Sequence, residues 1–257
     1  MFSIMNDQFS LAGKRILVTG GTRGIGRAIS IQFARAGASV ISNYVRDVTS
    51  AQKLQSIADN EGLSLEICRA DLTSQKGLNR LVESLEKCGN NLSGLVYCAA
   101  TGIHRPLAEL KTRHFDWTFS LNVRAFFEVV NRLIPMLSHG SSIVALSSQG
   151  ASRATPFYSL VGSSKAALES LVRYFAAEYA QKGIRANILS AGSVFTDAWK
   201  DMPESEQRIA DTIRRSPIKR LITAEEVAMI AQFLCSDSSK CIVGQVLVVD
   251  GGISIIE

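Results

Sequence analysis

The sequence is poor in the residues that build metal centres and covalent cross-links. Its five cysteines (Cys68, Cys88, Cys98, Cys235, Cys241) form no C-x-x-C pair, and only three histidines are present. That spacing matches neither a zinc site nor a disulfide framework, so reduced, buried thiols and no metal are expected. No run approaches the ~18 consecutive apolar residues of a membrane-spanning helix, so a membrane is not an expected partner. The opening residues lack a basic stretch followed by an apolar core, so a secretory signal is not expected and the expected location is the cytoplasm. Basic runs and aromatic–basic interleaving are missing as well, which removes nucleic acid as a partner. Repeats, low-complexity tracts and linkers are also lacking, so residues 1–257 read as a single domain.

What is present is ordinary globular composition, with 46% hydrophobic and 20% charged residues and a formal net charge of +5. The mild basicity favours an acidic partner or a phosphate-bearing ligand. Short β-branched runs at 15–18, 39–42, 63–68, 94–98, 142–147, 186–190 and 245–249 alternate with amphipathic ones. The latter fall at 24–36, 49–61, 74–88, 112–137, 157–181 and 223–235. Near-continuous apolar strands alternating with helices predict an α/β fold, a parallel sheet covered by helices on both faces. Right-handed crossovers make this a doubly wound Rossmann domain. Residues 191–222 break the alternation with Pro203, Pro217, six basic and five acidic residues. They follow the sixth strand at the ligand-binding edge of such sheets, so a lid with a short helix near 204–215 is expected.

The first strand runs into Thr19-Gly20-Gly21-Thr22-Arg23-Gly24-Ile25-Gly26. A glycine-rich turn between strand and helix lets the backbone approach a pyrophosphate, and the helix presents free N–H groups to that anion. After the second strand, NAD enzymes place a carboxylate for the ribose 2′-hydroxyl and NADP enzymes a cation for the 2′-phosphate. Here the chain reads Ser42-Asn43-Tyr44-Val45-Arg46, with no acid before Asp47. Arg46 and Arg23 are either 2′-phosphate ligands or solvated surface cations, and NADPH is the expected cofactor. Asp71-Leu72 is placed either to contact the adenine edge or, through Asp71, to cap the next helix.

With these residues in view, the chain resembles the short-chain dehydrogenase/reductase family over nearly its whole length. The matching marks are Thr19-Gly20-x3-Gly24-x-Gly26, Asp71, Asn122, Ser148, Lys165, Ala191-Gly192 and Val249-Asp250-Gly251-Gly252. The resemblance implies a seven-stranded sheet, a nicotinamide cofactor and a homo-oligomer, commonly a tetramer. It also implies cofactor contacts at Cys98, Ala99, Lys165, Gly192, Val194 and Thr196. Cys98 stands where many members carry asparagine and is read as a small buried side chain whose surroundings raise its pKa.

One departure is informative. The family's usual pattern is Tyr-x3-Lys, but Val161 stands four residues before Lys165, and Tyr158 stands seven before it. On a helix those seven residues make nearly two turns, putting both side chains on one side about 10 Å apart, roughly twice the usual separation. Tyr-x6-Lys resembles the enoyl-[acyl carrier protein] reductases within this family. The run from Tyr158 to Glu169, together with Ala99-Ala100-Thr101-Gly102, Asp116-Trp117 and Val249-Asp250-Gly251-Gly252-x-Ser254, is most similar to the NADPH-dependent enoyl reductase III branch. Ser148 stands where the enoyl reductase I branch has a second tyrosine.

The implied reaction is NADPH-dependent reduction of the 2,3 double bond of a 2-enoyl thioester on acyl carrier protein, in fatty-acid or polyketide assembly. Tyr158 is the expected donor to the thioester oxygen where negative charge develops. Lys165 is expected to hold the cofactor ribose and to favour tyrosinate character in Tyr158. Ser148 gives a second hydrogen bond to substrate, and Asn122 belongs to the same catalytic set or braces its helix. Phe195 and Trp199 on the lid line an acyl channel or simply pack it. Arg208, Arg214, Arg215, Lys219 and Arg220 are candidates for docking an acidic carrier protein. Two alternatives remain: a ketoreductase using the same tyrosine on a 3-oxoacyl thioester or another carbonyl, and a non-catalytic NADPH-binding regulator.

Overall fold

The computed structural model describes residues 8–87, 89–194 and 205–256. Seven strands form one fully parallel sheet: β1 (Arg15–Thr19), β2 (Ser39–Tyr44), β3 (Leu65–Arg69), β4 (Leu92–Tyr97), β5 (Leu137–Ser148), β6 (Arg185–Ala191) and β7 (Val246–Val249). Their spatial order is β3-β2-β1-β4-β5-β6-β7, as expected of a doubly wound sheet. The connecting helices are α1 (Gly24–Arg35), α2 (Val48–Glu61), α3 (Gln75–Lys87), α4 (Thr112–Phe119), α5 (Ala125–Leu133), α6 (Ser159–Tyr179), α7 (Ser205–Arg215) and α8 (Ala224–Cys235).

Each face of the sheet carries its own core. On one face Leu81 of α3, Phe126 and Val130 of α5 and Leu168 and Val172 of α6 pack against Leu17, Leu95 and Ile143. On the other, Ile29 and Phe33 of α1, Leu54 of α2 and Val227 and Leu234 of α8 pack against Ile16, Val18, Val96 and Val144. Both faces are therefore apolar along every central strand, which is why these strands read as unbroken hydrophobic runs. Each such fully buried side chain contributes roughly 1.5–3 kcal/mol of transfer free energy.

Two expectations about helices need correction. The segment expected as one helix over 112–137 is broken. α4 runs into a π-helical turn at Ser120–Arg124, α5 ends at Leu133, and Ile134–Met136 forms a 3₁₀ turn. Pro135 sits in that last turn and cannot continue an α-helix, and β5 begins at once at Leu137. The second correction concerns the start of α6, expected at 157 and found at Ser159. Pro156 and Phe157 occupy the centre of a turn closed by Tyr158 N–H donating to Thr155 O at 3.2 Å. Phe157 has φ 61°, so the chain follows a type II turn with a large aromatic where glycine is usual. Tyr158 is thus the cap residue of α6 (φ −117°, ψ 11°), just outside the helix.

Candidate active site

The strand order reverses between β1 and β4, and the loops at the carboxyl ends of the strands meet there around a cleft of about 1980 Å³. That is about twice the upper end of ordinary small-molecule pockets (~300–1,000 Å³), room for two ligands side by side.

Its floor at β1 is the glycine turn. The loop is pinned by Gly21 N–H donating to Asn43 O at 2.9 Å, and by Ser30 Oγ donating to Gly21 O at 3.1 Å. Gly26 lets α1 start directly against this loop, because a Cβ there would fall 2.2 Å from Gly20 O. The first turn of α1 carries no acidic residue, and its N-cap, Arg23, makes no side-chain cap. Its leading N–H groups and positive dipole end therefore face the cleft ready for an anion.

The turn after β2 shows where its one nearby acid is committed. Asp47 caps α2, with Oδ1 accepting from Ser50 N–H at 2.9 Å and Oδ2 from Ser50 Oγ–H at 2.7 Å. Those bonds hold its carboxyl below the usual range, helped by the nearby positive charge of Arg23. Arg23, Tyr44 and Arg46 line the cleft here. After β3, Asp71 and Leu72 also line it. Asp71 Oδ1 accepts from Thr73 N–H at 2.9 Å and Thr73 Oγ1–H at 2.7 Å, while Ser74 Oγ accepts from Gly77 N–H in the first turn of α3. Asp71 thus shapes the loop, and Ser74 caps the helix.

Cys98 and Ala99 follow β4, Ser148 ends β5, Tyr158 caps α6 and Lys165 lies within it, and all five line the same cleft. Lys165 is only 5% exposed. Its Nζ donates to Leu146 O at 2.7 Å, and burial brings its pKa down to about 8, against the opposing pull of Cys98 and Glu169. Burial likewise pushes the Cys98 thiol up to about 11, with Lys165 pulling the other way. The Tyr158 phenol is also raised by burial, and the influence opposing this is a hydrogen bond with Ser148. Lys165 is not among the influences on the Tyr158 phenol, and burial favours its protonated form. Val161, in the usual tyrosine position, is buried against the chain at Gly102.

Gly20, Thr22, Gly24, Ile25, Gly26, Gly192 and Val194 complete the set of predicted residues brought together in the cleft. Asn122 lies beneath it, fully buried. Its Oδ1 accepts from Thr101 N–H, and its Nδ2 donates to Thr101 O and Ser164 Oγ at 2.9 and 2.8 Å, so it braces the loop after β4. Phe195, Thr196 and Trp199 lie outside the described residues. The expected short helix of the lid is α7, and Gln207, Arg208, Asp211, Thr212 and Arg215 present its polar face to the cleft. Among the candidate docking cations, Arg214 pairs with Asp211 and Arg220 with Glu226, while Lys219 donates to Arg214 O.

Several contacts escaped the sequence reading. The His104 ring stacks on that of Tyr158 with centroids 5.5 Å apart, Arg208 lies 5.4 Å over the Phe157 ring, and Gln149 donates to Asp250 at 2.6 Å. The last of these had a signal in Val249-Asp250-Gly251-Gly252-x-Ser254. Asp250 accepts from Gly252 and Ser254 N–H groups as well as Gln149, tying the C-terminal turn to the residue after Ser148. The other two join segments far apart in the chain and had none.

Against known proteins, residues 20–254 match the family model described as enoyl-(acyl carrier protein) reductase. The chain is 35% identical over 243 residues to the 1-cyclohexenylcarbonyl-CoA reductase of Streptomyces collinus, covering 93% of this chain and 86% of that protein. The NADH-type enoyl-[acyl-carrier-protein] reductase of Aquifex aeolicus superposes with TM-score 0.88 at 31% identity, over 96% of this chain and 98% of that one. A short-chain dehydrogenase from Burkholderia cenocepacia in complex with NADP gives TM-score 0.88 at 30% identity, over 95% and 99%.

Proposed function

Because the chain belongs to the short-chain dehydrogenase/reductase family, an oxidoreductase family that binds nicotinamide cofactors, we propose that it reduces the 2,3 double bond of a 2-enoyl thioester with NADPH, the thioester carried on acyl carrier protein. The observation that carries this reading is the displaced hydroxyl. Val161 fills the usual position with an apolar side chain, while Tyr158, seven residues before Lys165, lines the cleft beside Ser148.

The residues present fit the cofactor. The uncapped N-terminus of α1, closely approached through Gly20 and Gly26, holds a pyrophosphate. Arg23 and Arg46 hold a 2′-phosphate where Asp47 is already committed to its helix. Asp71 and Leu72 would border the adenine, Lys165 would hold the ribose, and Cys98, Ala99, Gly192 and Val194 would wall the nicotinamide side, with Thr196 assigned to the same group from the sequence. When bound, the reduced nicotinamide supplies a hydride to the substrate β-carbon.

The chain's own groups answer the charge that then develops. Negative charge moves to the thioester oxygen as the α-carbon becomes nucleophilic, and that carbon takes up a proton to complete the reduction. Tyr158, whose phenol burial favours in the protonated form, donates to that oxygen, and Ser148 gives the substrate a second hydrogen bond. A pre-aimed donor of this kind is worth about 10²–10³ in rate. Phe195 and Trp199, assigned from the sequence alone, belong to the proposed acyl site. Support for an enoyl thioester comes from the Streptomyces relative, whose name describes a CoA substrate, and from the matching family model. A homotetramer in the cytoplasm, serving fatty-acid or polyketide assembly, completes the proposal.

The test follows NADPH absorbance with a 2-enoyl thioester and the matching 3-oxoacyl thioester, each on carrier protein and on coenzyme A. Oxidation with the enoyl compound, lost in Tyr158→Phe, is expected. Oxidation with the oxo compound alone would assign ketoreduction, with Tyr158 protonating an alkoxide. Turnover of coenzyme A thioesters alone would remove the carrier protein.

A further inference from the structure

We propose that His104 is a positioning residue for Tyr158: its ring, held by a clamped loop, fixes the orientation of the tyrosine that donates to substrate. This rests on the reading of Tyr158 as donor. Tyr158 caps α6 rather than lying within it, so helical rotamer limits do not aim its side chain. The turn that carries it, with Phe157 at φ 61°, is exposed over 152–156. Its ring direction must come from its neighbours.

Two groups close on that ring. The backbone at Gly150 lies against its edge, since a Cβ there would fall 2.5 and 2.6 Å from Tyr158 Cδ1 and Cε1. The His104 imidazole stacks on it, centroids 5.5 Å apart and planes inclined by 24°. Such a pair has directional preference beyond its buried area.

The loop bearing His104 is itself immobilised. Three residues upstream, Thr101 exchanges two hydrogen bonds of 2.9 Å with the Asn122 amide. Between them, Gly102 packs against Val161 so closely that a Cβ would meet Val161 Cγ2 at 2.0 Å. Asn122 and Val161 thus hold the loop, and the loop presents His104 to Tyr158. Two groups without access to the reacting atoms act on the donor through one imidazole.

A double-mutant cycle tests this, read on whichever thioester the wild type reduces. His104→Ala is expected to lower kcat about tenfold with KM for NADPH unchanged, and His104→Phe, which keeps a planar ring, to restore kcat to within about threefold. In a Tyr158→Phe background, His104→Ala should cost less than about twofold, because the hydroxyl it positions is gone. Wild-type kcat in His104→Ala, the same tenfold loss in both backgrounds, or no rescue by Phe would each overturn the proposal. A wild type that reduces neither thioester would sink the functional reading alone. The tyrosine ring NMR signals, assigned by their loss in Tyr158→Phe, then decide. A single sharp set in wild type and His104→Phe that broadens or splits in His104→Ala supports positioning; an unchanged set in His104→Ala rejects it.

Discussion

The Lys165 amine donates to the carbonyl oxygen of Leu146 at 2.7 Å, so the helix-borne cation is tied to the sheet before any ligand arrives. Burial lowers its pKa from 10.5 to about 8. In the proposed role the protonated amine holds the ribose hydroxyls, so kcat/KM for NADPH is expected to fall as pH rises through about 8. Stability runs the other way. Between about pH 8 and 10.5 the unfolded chain binds more protons at this site than the folded one, so this group's contribution to stability rises across that window. Activity and melting temperature measured across it should diverge; a kcat/KM flat to pH 10 would reject the assignment.

Gly150→Ala inserts a methyl where the Tyr158 ring carbons lie 2.5 and 2.6 Å away. The fold should survive with a loss of about 1–3 kcal/mol, the usual range for overpacking, while kcat drops at least about tenfold as the ring turns aside. Thermal melting and steady-state kinetics together separate the two effects. Wild-type kcat would mean that the ring is not held there.

Arg46→Ala and Arg23→Ala are each expected to raise KM for NADPH about tenfold, in line with the ~1.5–3 kcal/mol of a hydrogen bond to a charged group. KM for NADH should stay within about twofold, and stability within about 0.5 kcal/mol for such surface changes. Equal effects on both cofactors would show that neither cation reads the 2′-phosphate.

Arg208 ties α7 to the turn before the tyrosine. Its guanidinium lies 5.4 Å over the Phe157 ring and its Nη2 donates to Pro156 O at 3.3 Å. A partly exposed cation–π contact is worth ~0.5–1 kcal/mol. Arg208→Ala should therefore raise KM for the thioester about two- to fivefold and leave NADPH affinity unchanged in a fluorescence titration. A change confined to NADPH would relocate the helix's role.

Wherever one short stretch of chain carries its own physical reason, the sequence was readable. Gly20, Gly24 and Gly26 announce a turn that only glycine can build so close to a helix start, and the unbroken apolar strands announce a sheet covered on both faces. The residues gathered at the cleft from β1, β2, β3, β5 and α6 were each legible in this way. Helix boundaries were not, because they turn on single residues in context. Pro135 and the π turn around Asn122 cut one amphipathic run in two, and Pro156 with Phe157 moves the start of α6 past Tyr158. Contacts such as His104 with Tyr158 or Arg208 with Phe157 join loops 54 and 51 residues apart, set by tertiary packing with no periodic trace.

Lys165 rides on α6, whereas Tyr158 hangs from the turn that precedes it, and residues 152–156 of that turn are exposed. In the proposed reading, the grip on the cofactor and the aim of the donor are therefore mechanically separate parts. A change in that solvent-facing turn acts on Tyr158 and the rings packed against it, while Lys165 stays anchored to its sheet.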